Sequence, residues 1–181
     1  MITGYSTDIG ATLTSHPLVR KVAFTGGVET ARKVVAQTSE NLAKLSLELG
    51  GKSPQIIFED ADLDSVVNGV VAGVFAASGH SCVAGSRVLV HDTLYDAFLE
   101  RLTQRAQQIK IGHPREESSE MGPIATERQL SVIESFVAKA NQEKGTRLVY
   151  GGRRPDMSEG WYFQPTIFEC NSPQALSLIH I

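Results

Sequence analysis

Apolar and polar residues alternate along Leu45-Ser46-Leu47-Glu48-Leu49, the two-residue period of a half-buried strand. Around this segment the pattern switches repeatedly between strand and helix spacing. Val19 to Phe24 reads as a short strand and Thr25-Gly26-Gly27 as a tight turn. Glu29 to Leu42 follows with helical spacing at Val34, Val35 and Leu42, with Glu29 in the first turn where the helix dipole favours an acid. Gly50-Gly51 break the alternating strand, and Pro54 to Phe58 resumes as another. Asp62 is placed to cap a helix whose Val66, Val67, Val70, Val71, Val74 and Phe75 form two adjacent i, i+4 rows, which predicts a buried helix. Val88 to Val90 predicts a strand, and Asp92 or Thr93 a cap for a helix with Leu94, Tyr95, Phe98, Leu99, Leu102 and Ile109 on one face. Thr126 opens a further helix bearing Leu130, Ile133, Val137 and Ala140. Leu148 to Tyr150 and Tyr162 to Phe168 read as late strands. Strands alternating with helices predict an α/β fold, with a mostly parallel sheet covered on both faces.

Composition narrows the function classes. The 181 residues are 41% hydrophobic with a net charge of −3, so a folded core is expected, and no basic footprint for nucleic acid is present. Cys82 and Cys170 are the two cysteines, without a C-x-x-C spacing or a disulfide framework. The N-terminal residues lack the basic and apolar regions of a signal peptide, and no apolar run approaches the roughly 18 residues of a membrane span. The expectation is a cytoplasmic protein with no membrane or nucleic-acid partner. Metal binding is not expected either. The histidines lack ligand spacing, and Asp60, Asp62 and Asp64 are not followed by the glycine and glutamate of a calcium loop.

Three segments carry candidate chemistry. Phe24-Thr25-Gly26-Gly27-Val28-Glu29-Thr30-Ala31 leads a strand through glycines into a helix, whose free N–H groups suit a dinucleotide pyrophosphate. An ordinary strand-to-helix turn needs glycine as well. Glu48 lies between Leu47 and Leu49 and before Gly50-Gly51. Leucines packed against it would desolvate the carboxylate and tune it toward general-base work, whereas an edge strand would simply show it to solvent. In Ser78 to Arg87, small residues surround Cys82 and leave room for a substrate to reach the thiol. The alternative there is an inert buried cysteine. A nucleophile elbow starting at Gly79-His80-Ser81 fails at Val83, where glycine is required.

Together the three segments resemble the aldehyde dehydrogenase superfamily. Leu47-Glu48-Leu49-Gly50-Gly51-Lys52-Ser53-Pro54 resembles its glutamate signature, and Gly79 to Arg87 its cysteine signature, at the family's spacing. His16-Pro17, Val22 to Gly26, Gly112-His113-Pro114, Met121-Gly122-Pro123 and Gln164 to Phe168 match further landmarks in order, so the resemblance runs over about residues 1 to 170. It implies the C-terminal part of a Rossmann-like NAD(P)-binding domain over residues 1–50, joined to most of an α/β catalytic domain over 51–175.

The resemblance also implies the chemistry. Cys82 would be the nucleophile that forms a thiohemiacetal and then a thioester, and Glu48 the base that activates water to release a carboxylic acid. The cofactor would be NAD or NADP, with Gly26, Gly27 and Ala31 at the pyrophosphate turn, Leu49 and Gly50 near the nicotinamide, and Gln129 at the ribose. The substrate would be a small aldehyde, and the full-length protein a homodimer or homotetramer. A relative that passes the acyl group to coenzyme A is a second reading, against which Glu48 argues. A non-catalytic binding member is a third, against which the intact Glu48 and Cys82 argue. The sequence departs from the family at Gly27, Ala31 and Ser6 in the cofactor segments, and at His80 two residues before the cysteine. Family segments upstream and downstream have no counterpart here, so the isolated chain is expected to be inactive. Residues 176–181 do not fit the family and read as a non-native tail, like the translation of a transposon-end sequencing adapter.

Overall fold

The computed structural model describes residues 1–4, 6–157 and 159–171. The expected tail, 176–181, lies outside them. The chain divides into two compact units, one over Met1–Gly51 and the other beginning at Lys52.

The first unit is a strand–helix–strand built from β1 (Lys21–Gly26), α2 (Val28–Thr38) and β2 (Lys44–Leu49), preceded by α1 (Ser6–Ser15). The sequence pattern does not announce α1, which has Gly10 at its centre. β1 and β2 pair in parallel with Phe24 opposite Leu47 and Gly26 opposite Leu49. Both strands alternate exposed and half-buried residues, the pattern of a sheet covered on one face. α2 buries Ala31, Val34 and Thr38, one stripe at helical spacing.

α2 ends at Thr38, four residues before the predicted Leu42. Asn41 is the physical reason. Its Nδ2 donates to the carbonyls of Thr14 (2.9 Å) and His16 (2.8 Å), and its Oδ1 accepts from the Ala43 N–H (3.1 Å). These bonds fix the segment as a loop tied to the end of α1, and Leu42 takes a left-handed conformation with its side chain exposed. Thr14 adds a hydroxyl bond to Gln37 (2.7 Å), joining α1 to α2.

The second unit opens with another strand–helix–strand. β3 (Pro54–Ile57) and β4 (Arg87–Val90) pair in parallel around α3 (Leu63–Phe75), whose N-terminus is capped by Asp62 accepting from the Ser65 N–H at 2.9 Å. α4 (Tyr95–Gln107) packs on α3, and Val67, Val70, Val71, Phe98 and Leu102 join Ile57, Ile109 and Met121 in one buried cluster. Burial of such side chains stabilises by roughly 1.5–3 kcal/mol each. The predicted cap at Asp92 or Thr93 differs. Residues 92–94 form a short 3-10 turn, and it is His91 whose Nδ1 accepts from the Thr93 N–H.

α5 (Glu127–Gln142) is capped by Thr126 as predicted, and its Leu130 is fully buried against Ile124 and Phe163. β5 (Thr146–Tyr150) and β6 (Ile167–Cys170) follow. Tyr162 to Thr166 does not form the predicted strand: Tyr162 and Phe163 are core residues, and Pro165 has no N–H to give a ladder.

The expected single sheet is replaced, among the described residues, by three two-stranded sheets, the last one antiparallel. Among its described residues the connection from β5 to β6 contains no helix, the usual crossover of a parallel pair. Among the described residues no helix is long and apolar enough to cross a membrane.

Candidate active site

In the first unit the candidate residues gather where β1 and β2 end. Gly26 lies under the Phe24 ring, so that an added methyl group would meet the ring at 2.6 Å, which is a packing reason for glycine there. Gly27 is extended (φ −75°, ψ 150°) and serves as N-cap of α2, with nothing within 4 Å of where a side chain would begin. Its carbonyl accepts from the N–H groups of Thr30 (3.1 Å) and Ala31 (3.0 Å). The N–H groups one turn earlier have no carbonyl within the helix to bond, as at any helix start. That open backbone end fits an anionic phosphate group. Glu29, in the same turn, is neutralised by Arg32 at 2.7 Å. Ala31 is buried, and its contribution is a small side chain that lets the helix lie close to the sheet.

Glu48 faces solvent, while Leu47 and Leu49 are half-buried on the other face of β2. Successive side chains on a strand point to opposite faces, so the leucines that flank Glu48 in sequence do not bury it. The desolvating environment read from those neighbours is therefore corrected by the pleat. Gly50, also open, ends the strand.

In the second unit the chain must turn from α3 back to β4, and Cys82 sits within that turn. α3 ends where Ala76 leaves the helical conformation (ψ 146°), and Ala77 (φ 50°), Ser78 (φ 54°) and Gly79 (φ 75°) follow as three successive left-handed residues that reverse the chain. The Ser78 hydroxyl donates to the Gly122 carbonyl at 2.9 Å, which braces this reversal against the Met121-Gly122-Pro123 segment. His80, exposed, donates its N–H to the Ala77 carbonyl at 3.1 Å. The Ala84 N–H then bonds the Ser81 carbonyl at 3.1 Å, closing a turn with Cys82 and Val83 at its tip. The Cys82 thiol is exposed, not an inert core group.

Behind the tip, Gly85 is held twice. Its N–H donates to the Gly73 carbonyl of α3 at 3.1 Å, and its carbonyl accepts from Gln55 Nε2 of β3 at 2.8 Å. Arg87 adds a bond from Nε to the Lys52 carbonyl at 2.6 Å. Burial, with the Arg87 guanidinium nearby, holds the Lys52 ammonium below the usual lysine range. The tethers from Gln55 and Ser78 had no signal in the sequence, because each partner lies tens of residues away and is a backbone carbonyl.

Gln129 is exposed on the first turn of α5, its own N–H bonded to the Thr126 hydroxyl at 3.2 Å. A cavity of about 710 Å³ in the second unit is lined by Lys52, Phe75, Arg87, Tyr95, Ile167 and Cys170 among others, and Cys82 does not line it. Among the described residues no three His, Cys, Asp or Glu side chains come together as metal ligands.

The chain is thus a mixed α/β protein that presents an accessible cysteine where α3 returns to a strand. α3 is not the buried helix its two apolar rows predicted, since it buries Val67, Val70 and Val71 and leaves Asp64, Ser65, Asn68 and Ala72 exposed. The sequence profile of the aldehyde dehydrogenase family matches residues 1–177, and the chain belongs to that family. It is 46% identical over 180 residues, 99% of its length, to a dehydrogenase of Acinetobacter baylyi that acts on (Z)-2-((N-methylformamido)methylene)-5-hydroxybutyrolactone. It is 40% identical over 171 residues, 93% of its length, to betaine aldehyde dehydrogenase of Brucella ovis. A crystal structure of betaine aldehyde dehydrogenase from Staphylococcus aureus in complex with NAD+ superposes with a TM-score of 0.96 at 33% identity over 99% of this chain. The chain spans about a third of each relative: 36%, 35% and 36% respectively.

Proposed function

We propose that the protein carrying this chain oxidises an aldehyde to a carboxylic acid with NAD(P)+, through Cys82 and Glu48. The observation that carries the reading is the accessible Cys82 thiol at the tip of a braced turn, in a chain of this family. The Cys82 sulfur attacks the aldehyde carbonyl carbon, forming a C–S bond and an alkoxide that takes up a proton or a hydrogen bond. The turn's own hydrogen bond uses neither the Cys82 nor the Val83 N–H, which leaves backbone donors beside the developing oxyanion. A nicotinamide held beside Leu49 and Gly50 would serve as hydride acceptor, so that the C–H bond of the thiohemiacetal on Cys82 could break and its carbonyl re-form as a thioester. Glu48 removes a proton from water, which adds to the thioester carbonyl and expels the Cys82 thiolate with the acid as product.

For the cofactor, the open N-terminus of α2 at Gly27 supports a pyrophosphate contact, with Gly26 and Ala31 allowing close approach. Leu49 and Gly50 at the end of β2 would lie by the nicotinamide, and Gln129 by the ribose. An aldehyde substrate, a homodimer or homotetramer, and a cytoplasmic setting belong to the same proposal. The test is aldehyde-dependent formation of reduced nicotinamide by the protein containing this chain. Cys82→Ser is expected to abolish it, and Glu48→Gln to slow turnover at least a hundredfold while leaving a first-turnover burst. Undiminished activity in Cys82→Ser would sink the reading.

A further inference from the structure

The side chain of Gln55 does more than pack under the cysteine turn. It enters from β3, a different element from the one that carries Cys82, and donates Nε2 to the Gly85 carbonyl at 2.8 Å. It also occupies the space where a side chain of Gly85 would stand: an added methyl group would meet Gln55 Cγ and Nε2, both at 2.5 Å. The same amide lies 3.5 Å from where a Gly73 side chain would begin. Gly85 is buried, and the Gly73 carbonyl holds its N–H. The residue that ends the Cys82 turn therefore has both backbone polar groups fixed, one by α3 and one by Gln55.

We infer that Gln55 is a positioning residue, which through Gly85 sets the conformation of the Ser81–Ala84 turn and hence the reactivity of the Cys82 thiol. The inference rests on the reading of Cys82 as nucleophile, although the geometry it concerns does not. A polar side chain at a β-strand position needs a partner once covered, and the pairing satisfies both the half-buried Gln55 amide and the carbonyl of buried Gly85. Without the amide the Gly85 carbonyl loses its donor and the turn gains alternative conformations, so the Cys82 sulfur is no longer held in one place. A thiol spread over several turn conformations meets an electrophile in a productive orientation for only part of the time, and its alkylation slows.

The test uses the chain with Cys170→Ser, so that Cys82 is its one thiol. Iodoacetamide alkylation of Cys82 is timed at neutral pH in the parent, in Gln55→Met, which keeps the volume and removes the donor, and in isosteric Gln55→Glu. Both are expected to react at least threefold more slowly. The Cβ carbon resonance of labelled Cys82 is expected to change from one sharp line to a broadened or multiple signal, a change that a loss of global stability alone does not produce. Gly85→Ala, which displaces the amide, should slow alkylation in the parent and add nothing in the Gln55→Ala background. Rates within twofold of the parent in both Gln55→Met and Gln55→Glu, or additive effects of Gly85→Ala and Gln55→Ala, would overturn the inference. Protection of Cys82 by a small aldehyde, measured separately, reports on the nucleophile reading alone.

Discussion

At the scale of single residues, the backbone leading to Cys82 holds two of the three left-handed non-glycine residues among those described. A non-glycine residue in the left-handed region costs roughly 1–2 kcal/mol, and Ala77 and Ser78 sit there in succession. Ala77 has no side-chain bond to offset this, so Ala77→Gly is expected to stabilise by about 1 kcal/mol, read as a higher urea midpoint. Ser78→Gly relieves the same strain but deletes the hydroxyl bond to Gly122, and its net effect is expected to lie near zero. Glu48 shows where reading residue by residue stops short. Its neighbours in sequence are leucines, yet the strand's pleat sends them to the opposite face, and only the alternation itself indicates this. The exposure of the Cys82 thiol was legible because its small neighbours signal room. Gln55 was not, because nothing in Pro54-Gln55-Ile56 points to a glycine some thirty positions later.

Among elements, the starts of α3 and α5 were legible, whereas α1 and the cap before α4 were not. Asp62 and Thr126 were recognisable as caps, and each accepts the expected N–H. Thr126→Ala is expected to cost about 1 kcal/mol in thermal or urea unfolding. The end of α2 was missed because Asn41 recruits carbonyls from the end of α1, a contact between elements distant in sequence. A similar long-range tie joins α4 to the β5–β6 pair. The Tyr95 hydroxyl donates to Glu169 at 2.5 Å, and Arg147 donates to the same carboxylate at 2.6 Å. These partners hold the Glu169 carboxyl below its usual range, the tyrosine contributing most. Burial, reinforced by Glu169, pushes the Tyr95 hydroxyl up to about 12. A lowered carboxylate adds stability that is complete above its unfolded value and is lost as pH falls through the folded one. Tyr95 adds stability that is complete below pH 10 and lost between there and about 12. Glu169→Gln is therefore expected to weaken the fold near neutral pH and to flatten its decline in acid, seen in urea titrations across the acidic range. It should also bring Tyr95 ionisation down in an ultraviolet titration.

For the whole molecule, the α/β class followed from the alternation of elements, but the sheet arrangement did not. Two of the three strand pairs are parallel because a helix connects them, while β5 and β6 are joined by a stretch that opens with Gly151 and Gly152, both at positive φ. An added side-chain carbon at Gly151 would run into the Pro165 carbonyl, so Gly151→Ala is expected to destabilise the β5–β6 pair, whereas Gly27→Ala meets nothing. Phe98 and Leu130 are the largest fully buried side chains, and they anchor separate clusters of the second unit. Phe98→Ala is expected to cost about 3–5 kcal/mol, a large share of the 5–15 kcal/mol typical of a domain, and to lower its melting temperature accordingly.

The pairing of β3 with β4 also bears on how the chain is made. Pro54 meets Arg87 and Ile57 meets Val90, so β3 leaves the ribosome some thirty residues ahead of the strand it pairs with in this structure. At synthesis rates of roughly 5–20 residues per second that interval lasts on the order of seconds. During it Ile57, buried in the folded unit, is already out while its companion strand is still inside the ribosome, and the reversal that carries Cys82 is among the last parts of the interval to appear. Slower synthesis during that interval would lengthen the exposure of Ile57, whereas faster synthesis would favour soluble product.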